Sequence, residues 1–466
     1  MSEERNDLLN DDIEQMETEE RNNTEFKEKK RKFILKGFSS LFACIINTFG
    51  YFSIWSLGNY IVYLISFRRY YNPSLTFSYG YFLIPIIYFT YSLTSPIGGT
   101  IENKLGGRKS IVLSYFILCI SFSLMYFSKN IYIDYIIMFF IGIGLSAGIS
   151  ITKKNACSFF MNKKSLINGI VYLIPGFLCF FLNIINEKYI LNPLSEGPTI
   201  ENLYYDKKIF LNFQKLIIFE IAILIFTCFL TLIFYFQNDP KETKQFGFES
   251  INENEYNIKE RSANNLRQIK IAKYSNRALR QFLMIFLFFP TINFINNTWR
   301  PIGIYYKIDT YYLQLTTALY SLTGCIASII FSLIGDRISF KFTFVFFAFC
   351  LSIISFCYPL SFKNDIFYIC EVLITIFILR GYNIIIDPHI MKVYGIKNYI
   401  EIGGFVKASG GISEILCIIF VFYLENNFSG DKDFIYKFMY IISGIFNLIS
   451  LILGLFEGDE EFNYKN

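Results

Sequence analysis

Four charged residues interrupt two long apolar segments in the last third of the chain: Glu371, Arg380, Lys407 and Glu414. A charged side chain near the centre of a bilayer costs about 2.5–3.5 kcal/mol on insertion scales, so each of them needs a partner or a task. Lys407 and Glu414 are seven residues apart and therefore share one face of a helix. Two cations and a deep carboxyl group in one apolar region predict a binding site for a small anion, with a group able to carry a proton.

Each of these residues also has a structural interpretation. The long stem of Lys407 allows its ammonium group to reach the membrane surface. Glu414 is too short for that and would pair with Arg380 or Lys407, whereas Glu371 lies nearer the outer rim and is predicted to be interfacial. We expect Arg380 and Lys407 to bind the anion, and Glu414 to serve in proton coupling or as their counter-ion.

Three further residues are weaker candidates. Asn47 and Trp299 are predicted to line the same site, and the alternative for each is a contact between neighbouring helices. His389, the single histidine of the sequence, ends an apolar segment, where a solvated or capping role is the alternative to a pH-dependent one.

Several classes of chemistry find no support in the sequence. One histidine leaves no basis for a zinc site or for histidine-based catalysis. The chain contains no G-x-x-x-x-G-K-[ST] motif, so ATP-driven transport is unsupported. A membrane enzyme would need acids and histidines clustered at one depth, and here the acids are scattered. We therefore predict no catalytic residues, no metal and no cofactor.

The composition requires a membrane around these residues. Apolar residues make up 53% of the 466 residues and charged residues only 17%, whereas a soluble chain carries about 25% charged residues. So little charge cannot cover a water-facing surface of this size, and disorder, collagen and coiled coil are excluded on the same composition. The net charge of +5 is carried mostly by loops and tails and does not indicate nucleic acid. The predicted fold class is an all-α polytopic membrane protein.

Twelve segments are predicted to cross the bilayer, since a span needs about 20 apolar residues. They are 34–65, 77–101, 110–128, 131–152, 166–186, 214–236, 281–299, 312–334, 342–361, 366–388, 401–424 and 435–456. The first is long for one helix, and we expect it to tilt or to end above the membrane.

The longest polar interruption divides these segments six and six. The predicted organisation is a disordered cytoplasmic tail over 1–32, a six-helix bundle over 33–236, a cytoplasmic loop over 237–280, a second six-helix bundle over 281–456 and a cytoplasmic tail over 457–466. Both bundles are predicted to be entirely helical.

The basic run at 29–32 directly precedes the first span, which places the N-terminus in the cytoplasm by the positive-inside rule. Twelve spans return the C-terminus to the same side, so we predict a multi-pass protein with both termini cytoplasmic. The plasma membrane is the expected location. The stretch from Glu4 to Leu9 fits an acidic dileucine sorting pattern, which leaves a vacuolar or other organellar membrane as the alternative.

Two short loops recur at equivalent places in the two halves. The first, after the second span, carries Gly99, Glu102 and Arg108, and the other, after the eighth span, carries Asp336 and Arg337. Glycine permits a tight turn between antiparallel helices, and an acid near the start of the next helix complements its dipole. Together with the family resemblance given next, this leads us to expect that these loops act as gates, with Asp336 and Arg337 stabilising one access state.

These loops resemble those of the major facilitator superfamily, whose pattern is G-x-x-x-D-R-x-G-x-R. The first copy matches at Gly99, Lys104, Gly106 and Arg108, with Asn103 in place of the aspartate. The resemblance implies two six-helix bundles around a cavity at the bilayer midplane, with access alternating as the bundles rock.

A narrower resemblance points to the monocarboxylate and oxalate/formate carriers. Segment 159–169 is similar to their aromatic, basic and glycine signature, and 394–398, followed by Gly403 and the glycine pair 410–411, is similar to its second-half counterpart. In the oxalate/formate carriers a lysine of span eleven binds substrate, and Lys407 falls in that segment. Their basic residue of span eight is missing here, which disfavours a dicarboxylate unless Arg380 replaces it.

The resemblance implies a secondary active transmembrane transporter of a small, monocarboxylate-like organic anion, working as a symporter or antiporter that Glu414 couples to protons. The alternatives are a carrier of amino acids, other metabolites or drugs, and a receptor-like member of the fold that transports nothing. The expected partners are the small-molecule substrate and the lipid bilayer, and the expected working unit is a monomer.

Overall fold

The computed structural model describes residues 2–55, 61–75, 77–160, 163–186, 207–239, 242, 272, 275–335, 337–396, 398–427, 432–458 and 460. These residues form thirteen α-helices and one short 3-10 helix, Phe77–Phe82. The α-helices are α1 Ser2–Trp55, α2 Ile61–Tyr71, α3 Leu83–Leu105, α4 Gly107–Phe127, α5 Ile131–Phe159, α6 Lys164–Ile185, α7 Lys207–Phe234, α8 Asn276–Tyr305, α9 Thr310–Ile334, α10 Phe340–Ser361, α11 Asp365–Tyr394, α12 Tyr399–Asn427 and α13 Lys432–Leu455.

Ten of these helices are long and apolar enough to cross a membrane: α1, α4 to α8 and α10 to α13. Among the described residues, α3 and α9 are the two other long helices, and α9 contributes a shorter apolar stretch, Leu319–Ile334. Together with α2, which continues the first span, these helices account for the twelve predicted spans. The predicted fold class, an all-α membrane protein of two six-helix bundles, is confirmed.

The two halves of the chain pack in the same pattern. In the first bundle, α3 packs on α5, α1 on α6 and α4 on α7; in the second, α9 packs on α11, α8 on α12 and α10 on α13. The bundles meet along two seams, α3 with α12 and α6 with α9, which correspond to each other under the same repeat. We call the end that holds the α3–α4 turn at Gly106 and the residues after α13 the inner end. The opposite end is the outer end.

The seam between α3 and α12 explains why α3 carries small polar residues. Its small polar residues Thr90, Ser92 and Ser95 are buried rather than facing lipid. On α12, a Cβ atom at Gly411 would lie 2.7 Å from Ser92 Cβ, and one at Gly404 would lie 2.6 Å from the nitrogen of Pro96. Small residues on both helices therefore allow close approach of the backbones, as in other membrane helix pairs.

The first span and the N-terminal tail differ from expectation. The helix α1 begins at Ser2, so the backbone is helical where a disordered tail was predicted over 1–32. That segment is rich in Glu, Lys and Arg, which are good helix formers, and it continues directly into an apolar span. The predicted span 34–65 is divided between α1 and α2, and residues 56–60 lie outside the described residues. The other domain boundaries stay predictions.

A buried ion pair fastens the outer end of the first bundle. Arg68, in α2, donates from Nε to Asp134 Oδ2 at 2.5 Å and from Nη2 to Oδ1 at 2.8 Å. It also donates to the main-chain carbonyls of Met125, at 2.9 Å, and Ser128, at 2.5 Å, where α4 ends. Both charged side chains are fully buried. One arginine thus ties α2, α4 and the start of α5 together.

We predict that Asp134→Asn destabilises the protein by about 3–5 kcal/mol, because it leaves the Arg68 charge buried without its counter-ion. The measurement is the melting temperature of purified protein in detergent. The matched control is Lys437→Gln, which breaks the exposed pair with Asp433 and should cost less than about 1 kcal/mol. Equal losses for the two variants would contradict this role of Arg68.

Candidate functional site

Two levels of charge face each other on α11 and α12. Arg380 and Asp387 are seven residues apart on α11, and Lys407 and Glu414 are seven apart on α12. Seven residues are about two helical turns, so each pair lies on one face of its helix with a separation of roughly 10 Å. Since Lys407 pairs with Asp387 and the two helices run in opposite directions, Arg380 and Glu414 lie at the second level, nearer the outer end.

The inner level is a carboxylate held between two lysines. Lys407 Nζ donates to Asp387 Oδ1, and Lys153 Nζ, from α5, lies 3.2 Å from Asp387 Oδ2. Lys153 also contacts the Tyr172 hydroxyl at 2.5 Å, and Tyr399 is a further hydrogen-bond partner of Asp387. The side chains of Asp387 and Lys153 are 1% and 4% exposed, so both charges are almost fully removed from solvent.

This inner cluster joins the two bundles. Lys153 and Tyr172 belong to the first bundle, and Asp387, Lys407 and Tyr399 belong to the second. Two ammonium groups around one carboxylate leave one net positive charge. Attraction across the interface closes the inner end, and separation of the bundles would leave at least one buried charge without its partner.

A proline beside this cluster requires a second contact between the bundles. Pro388 has no N–H, so the carbonyl of Ile384, four residues earlier in α11, lacks its helical donor. The Asn168 side chain, from α6, donates to this carbonyl at 2.9 Å and to the carbonyl of Asn383 at 3.2 Å. An amide of the first bundle thus completes the backbone hydrogen bonding of the second, next to Asp387.

The outer level contains an arginine that lies on the interface between the bundles, Arg380. The Arg380 guanidinium carbon lies 4.9 Å from the centre of the Phe52 ring, which belongs to α1 in the first bundle. Its side chain passes over Gly324 of α9, where an added Cβ would lie 3.2 Å from Nε. Within the described part of the chain Arg380 forms no ion pair. It is partly buried and presents its planar face to an aromatic ring, as in other cation–π contacts.

Two tyrosines complete the outer level. Tyr88 on α3 and Tyr320 on α9 lie within electrostatic range of both Arg380 and Glu414. The Tyr320 hydroxyl donates to the Asn296 amide oxygen, and Glu414 is 2% exposed. The level therefore combines one guanidinium, one carboxyl group and two phenols contributed by both bundles.

Lys407 was expected to bind the anion together with Arg380, and this role stays a prediction. Lys407 turns to Asp387, two helical turns away from the other two side chains. Its ammonium group contacts the buried carboxylate, and its side chain is 23% exposed. Glu371 was expected at the outer membrane surface. The residue is 3% exposed and lies within the second bundle.

Asn47 and Trp299 are packed against protein. The Asn47 amide nitrogen donates to the carbonyl of Gly148 at 3.2 Å and to Thr152 Oγ1 at 2.9 Å, which joins α1 to α5. Trp299 is 7% exposed, and its main-chain carbonyl accepts a hydrogen bond from the Tyr368 hydroxyl. These contacts agree with the helix-packing alternative for both residues, and their substrate role stays a prediction.

The first predicted gating loop makes most of its contacts within its own bundle. Glu102 pairs with Lys154 of α5 at 2.8 Å, and Arg108 donates to the carbonyl of Tyr235 at 2.9 Å, where α7 ends. These contacts join α3 to α5 and α4 to α7. Neither of these side chains bridges the two bundles.

The other gating residues lie closer to the interface. A Cβ atom on Gly99 would lie 3.0 Å from Glu401 Cγ, so this glycine allows α12 to approach α3 at the inner end. Arg337 is exposed at the inner end, and its main-chain N–H donates to the carbonyl of Ile334 at 2.9 Å. Asp336 lies outside the described residues. The gating role of the loops stays a prediction.

Sequence reasoning missed Lys153 and Asp387. It ended the fourth span at residue 152 and the tenth at residue 388, so both charges counted as ends of spans, whereas α5 continues to Phe159 and α11 to Tyr394. The signal was present: Asp387 ends an unbroken run of three isoleucines, where a single acid needs a partner.

A second polar network closes the inner end of the second bundle. Glu457, which follows α13, accepts from Arg277 at 3.0 Å and from Gln281 at 2.9 Å, and His389 Nε2 lies 3.6 Å away. Burial opposes the charge of Glu457, yet the contacts with His389 and Arg277 lower the pKa of its carboxyl group. His389 stacks on Phe340 with ring centres 4.0 Å apart. Its role here is to join α8, α10 and α11 to the end of the chain.

A protein-family model described as Major Facilitator Superfamily matches residues 210–391, which covers the end of the first bundle and most of the second. Among curated proteins, none matches the chain in sequence.

Solved structures of the same fold extend this likeness over the whole molecule. The proton:xylose symporter XylE has a TM-score of 0.63 at 11% identity, covering 90% of this chain and 94% of that one. FucP, a fucose:proton symporter of E. coli, has a TM-score of 0.58 at 13% identity in its outward conformation, covering 89% and 98%. The human organic anion transporter MFSD10 (TETRAN) has a TM-score of 0.59 at 10% identity, covering 90% and 99%.

The fold of this multi-pass membrane protein, with its two bundles, is the one that these major facilitator transporters share. The match over residues 210–391 adds a similarity in sequence to the major facilitator superfamily over less than half of the chain. The superfamily is made up of transporters and not of enzymes. The narrower resemblance to the monocarboxylate and oxalate/formate branch finds no match in these comparisons and stays a hypothesis.

We predict that Asp387→Asn opens the inner end, because Lys153 and Lys407 then face each other without a carboxylate between them. Hydrogen–deuterium exchange of the last turns of α5 and α11 should rise, and the melting temperature should fall. The variant that also carries Lys153→Met returns the cluster to one net positive charge and should recover much of both losses. Unchanged exchange in Asp387→Asn would contradict the closing role of the cluster.

Proposed function

We propose that this protein is a secondary carrier of a small organic anion, which binds at Arg380 and crosses the membrane as the two bundles alternate their access. The observation that carries the proposal is Arg380 itself. It lies on the interface between the bundles, over Phe52, and has no ion-pair partner in the described part of the chain. A charge in this position is costly unless something binds it, and a substrate carboxylate matches its planar fork of donors.

The charge count favours a monocarboxylate. Lys407 and Lys153 already pair with Asp387, so the guanidinium group of Arg380 is left to bind the substrate. A dicarboxylate would need a second free cation at the same level. Lys407 then acts in the inner gate rather than as the first contact of the substrate, which modifies the role that the family resemblance implies for it.

An amino acid is the second candidate, and one observation favours it. Arg380 and Glu414 lie at one level of α11 and α12, so a carboxylate and an ammonium group on one small molecule would find opposite charges there. The sugars named for the solved symporters are less well matched, because the described outer level offers an arginine, an acid and two tyrosines rather than a row of amides.

Glu414 is the proposed coupling group. It is 2% exposed and lies near the substrate arginine, so its protonation would be linked to occupancy of the site. The inner end is proposed to face the cytoplasm, where the positive-inside rule places both chain ends. The working unit is proposed to be a monomer in the plasma membrane, with an organellar membrane as the alternative.

The first test is uptake by proteoliposomes of labelled lactate, pyruvate and leucine at two pH values. Arg380→Ala should lower uptake roughly 10- to 100-fold, because a charged hydrogen-bonded contact is worth about 1.5–3 kcal/mol. Arg380→Lys should recover it poorly, since an ammonium group does not reproduce the planar fork. Lys437→Ala, at an exposed pair far from the interface, is the control and should transport normally.

Preferential uptake of leucine would favour the amino-acid candidate. Normal carboxylate affinity in Arg380→Ala would end the proposal for this site, and absence of any flux from a folded, inserted protein would favour a receptor-like role.

The second test separates coupling from binding. Glu414→Gln should lose accumulation driven by a pH gradient and keep exchange of labelled for unlabelled substrate, because exchange needs no net proton movement. If both activities fall together, Glu414 is only a counter-ion. Accumulation that survives at the wild-type rate would show that another group carries the proton.

A further inference from the structure

A pocket of about 400 Å³ opens at the inner end, and its lining residues do not include the charged residues of the two levels. Its cations are Lys164, at the start of α6, Arg337, after α9, and Lys392, in the last turn of α11. Along α11, Lys392 lies twelve residues beyond Arg380, which is about 18 Å. The pocket is therefore separate from the proposed substrate site.

The lining has a strong bias of charge. Three permanent cations contribute to it, together with hydroxyl groups of Ser165, Ser339 and Thr343, and its described residues include no aspartate or glutamate. Each cation is partly or fully exposed to solvent, so a ligand from the aqueous side can reach all three. An anion in the cavity therefore meets three cationic side chains, and its attraction to them favours binding.

We propose that this pocket binds a small phosphate-bearing anion, which joins the inner ends of the two bundles. Phosphate oxygens suit an arginine fork and lysine point charges, and serine and threonine hydroxyls are common donors to them. The cavity is in the size range of small-ligand pockets, so it has room for a phosphate group together with part of the molecule that carries it.

The placement of the pocket on a seam gives the ligand its effect. Lys164 and Ser165 belong to the first bundle, while Arg337 and Lys392 belong to the second. The seam is tight here: a Cβ atom on Gly335 would lie 3.1 Å from Ser165 Cβ. Opening of the inner end would divide the pocket, so the anion binds the closed state better than the open state and shifts the population toward it.

The wall formed by α11 is rigid. His389 lines the pocket and is stacked on Phe340, and its Nε2 atom faces Glu457 on the other side. The ligand therefore binds a preformed surface on the second bundle and contacts the start of α6 on the first. The regulatory part of the inference rests on the proposed carrier function, whereas the binding part does not.

Binding is tested with inorganic pyrophosphate as the probe and full-length protein in an uncharged detergent. Isothermal titration calorimetry should give a dissociation constant that weakens with added salt. The variant carrying Arg337→Gln and Lys392→Gln should bind pyrophosphate about tenfold more weakly, because two charged contacts are lost. Both side chains are exposed, so the fold tolerates the change.

The matched control carries Lys32→Gln and Lys109→Gln, which remove the same charge from exposed positions of the inner end that do not line the pocket. It should bind like the wild type. An equal loss in both double variants would mean that pyrophosphate follows the net charge of the inner end, and it would overturn the site.

A second measurement tests the bridge. Pyrophosphate should slow hydrogen–deuterium exchange both at the start of α6 and in the last turns of α11, because the ligand holds the two together. Protection confined to α11 would overturn the bridging role even if pyrophosphate binds.

The phosphate can come from a soluble molecule or from a lipid headgroup, and nanodiscs distinguish the two. If the ligand is soluble, pyrophosphate binds equally in phosphatidylcholine nanodiscs with and without phosphatidic acid. If it is a headgroup, phosphatidic acid raises the melting temperature of the wild type, but not of the Arg337→Gln and Lys392→Gln variant, and it competes with pyrophosphate. Absence of an effect from either probe overturns the proposal.

Transport is the last arm. Pyrophosphate on the inner side should slow substrate exchange by the wild type and leave the pocket variant unaffected. Because binding is measured without any flux, a protein that binds pyrophosphate but transports nothing would refute the carrier function alone. A carrier that ignores pyrophosphate would refute the pocket alone.

Discussion

The charged contact between the two bundles at the inner end is organised around the carboxylate of Asp387. Asp387 accepts a hydrogen bond from Lys407 of its own bundle and lies beside Lys153 of the other, so one carboxylate pairs with a buried lysine and a partly buried one. A buried cation without a counter-ion is costly, and so is a buried carboxylate without a cation. In the closed arrangement of the bundles, the three charged groups pair with one another. In an open arrangement they are exposed, and water stabilises their charges instead.

This exchange between ion pairing and hydration makes the contact suitable for a gate. The gain from burying the cluster is the small difference between attraction and desolvation, so opening does not have to overcome the full Coulomb energy. The amide of Asn168 has the same property, since water can replace it at the carbonyl that Pro388 leaves without a donor. Two polar contacts, each with a small net stabilisation, thus close the inner end reversibly, whereas apolar packing alone would hold it closed.

The seven-residue spacing on α11 and α12 separates this gate from the proposed substrate level. Arg380 and Glu414 lie about two turns from Asp387 and Lys407 on the same helix faces, so a change at one level is transmitted along rigid helices to the other. Tyr88 and Tyr320, from the two seams, lie within electrostatic range of both charges of the outer level. A ligand that binds there contacts both bundles and is therefore able to influence how they rock.

Composition, apolar runs and loop glycines determined by themselves that this chain spans a membrane in two six-helix halves, because bilayer thickness sets the length of each span. They also singled out Arg380, Lys407 and Glu414, because charge in an apolar run is visible in one dimension. The partners of those charges were decided by the tertiary structure alone. Lys153 lies 234 residues from Asp387 along the chain, and the packing of α5, α11 and α12 determines that they meet. Periodicity reports which face of a helix a residue occupies, but the neighbour of that face depends on how separate helices are arranged in space.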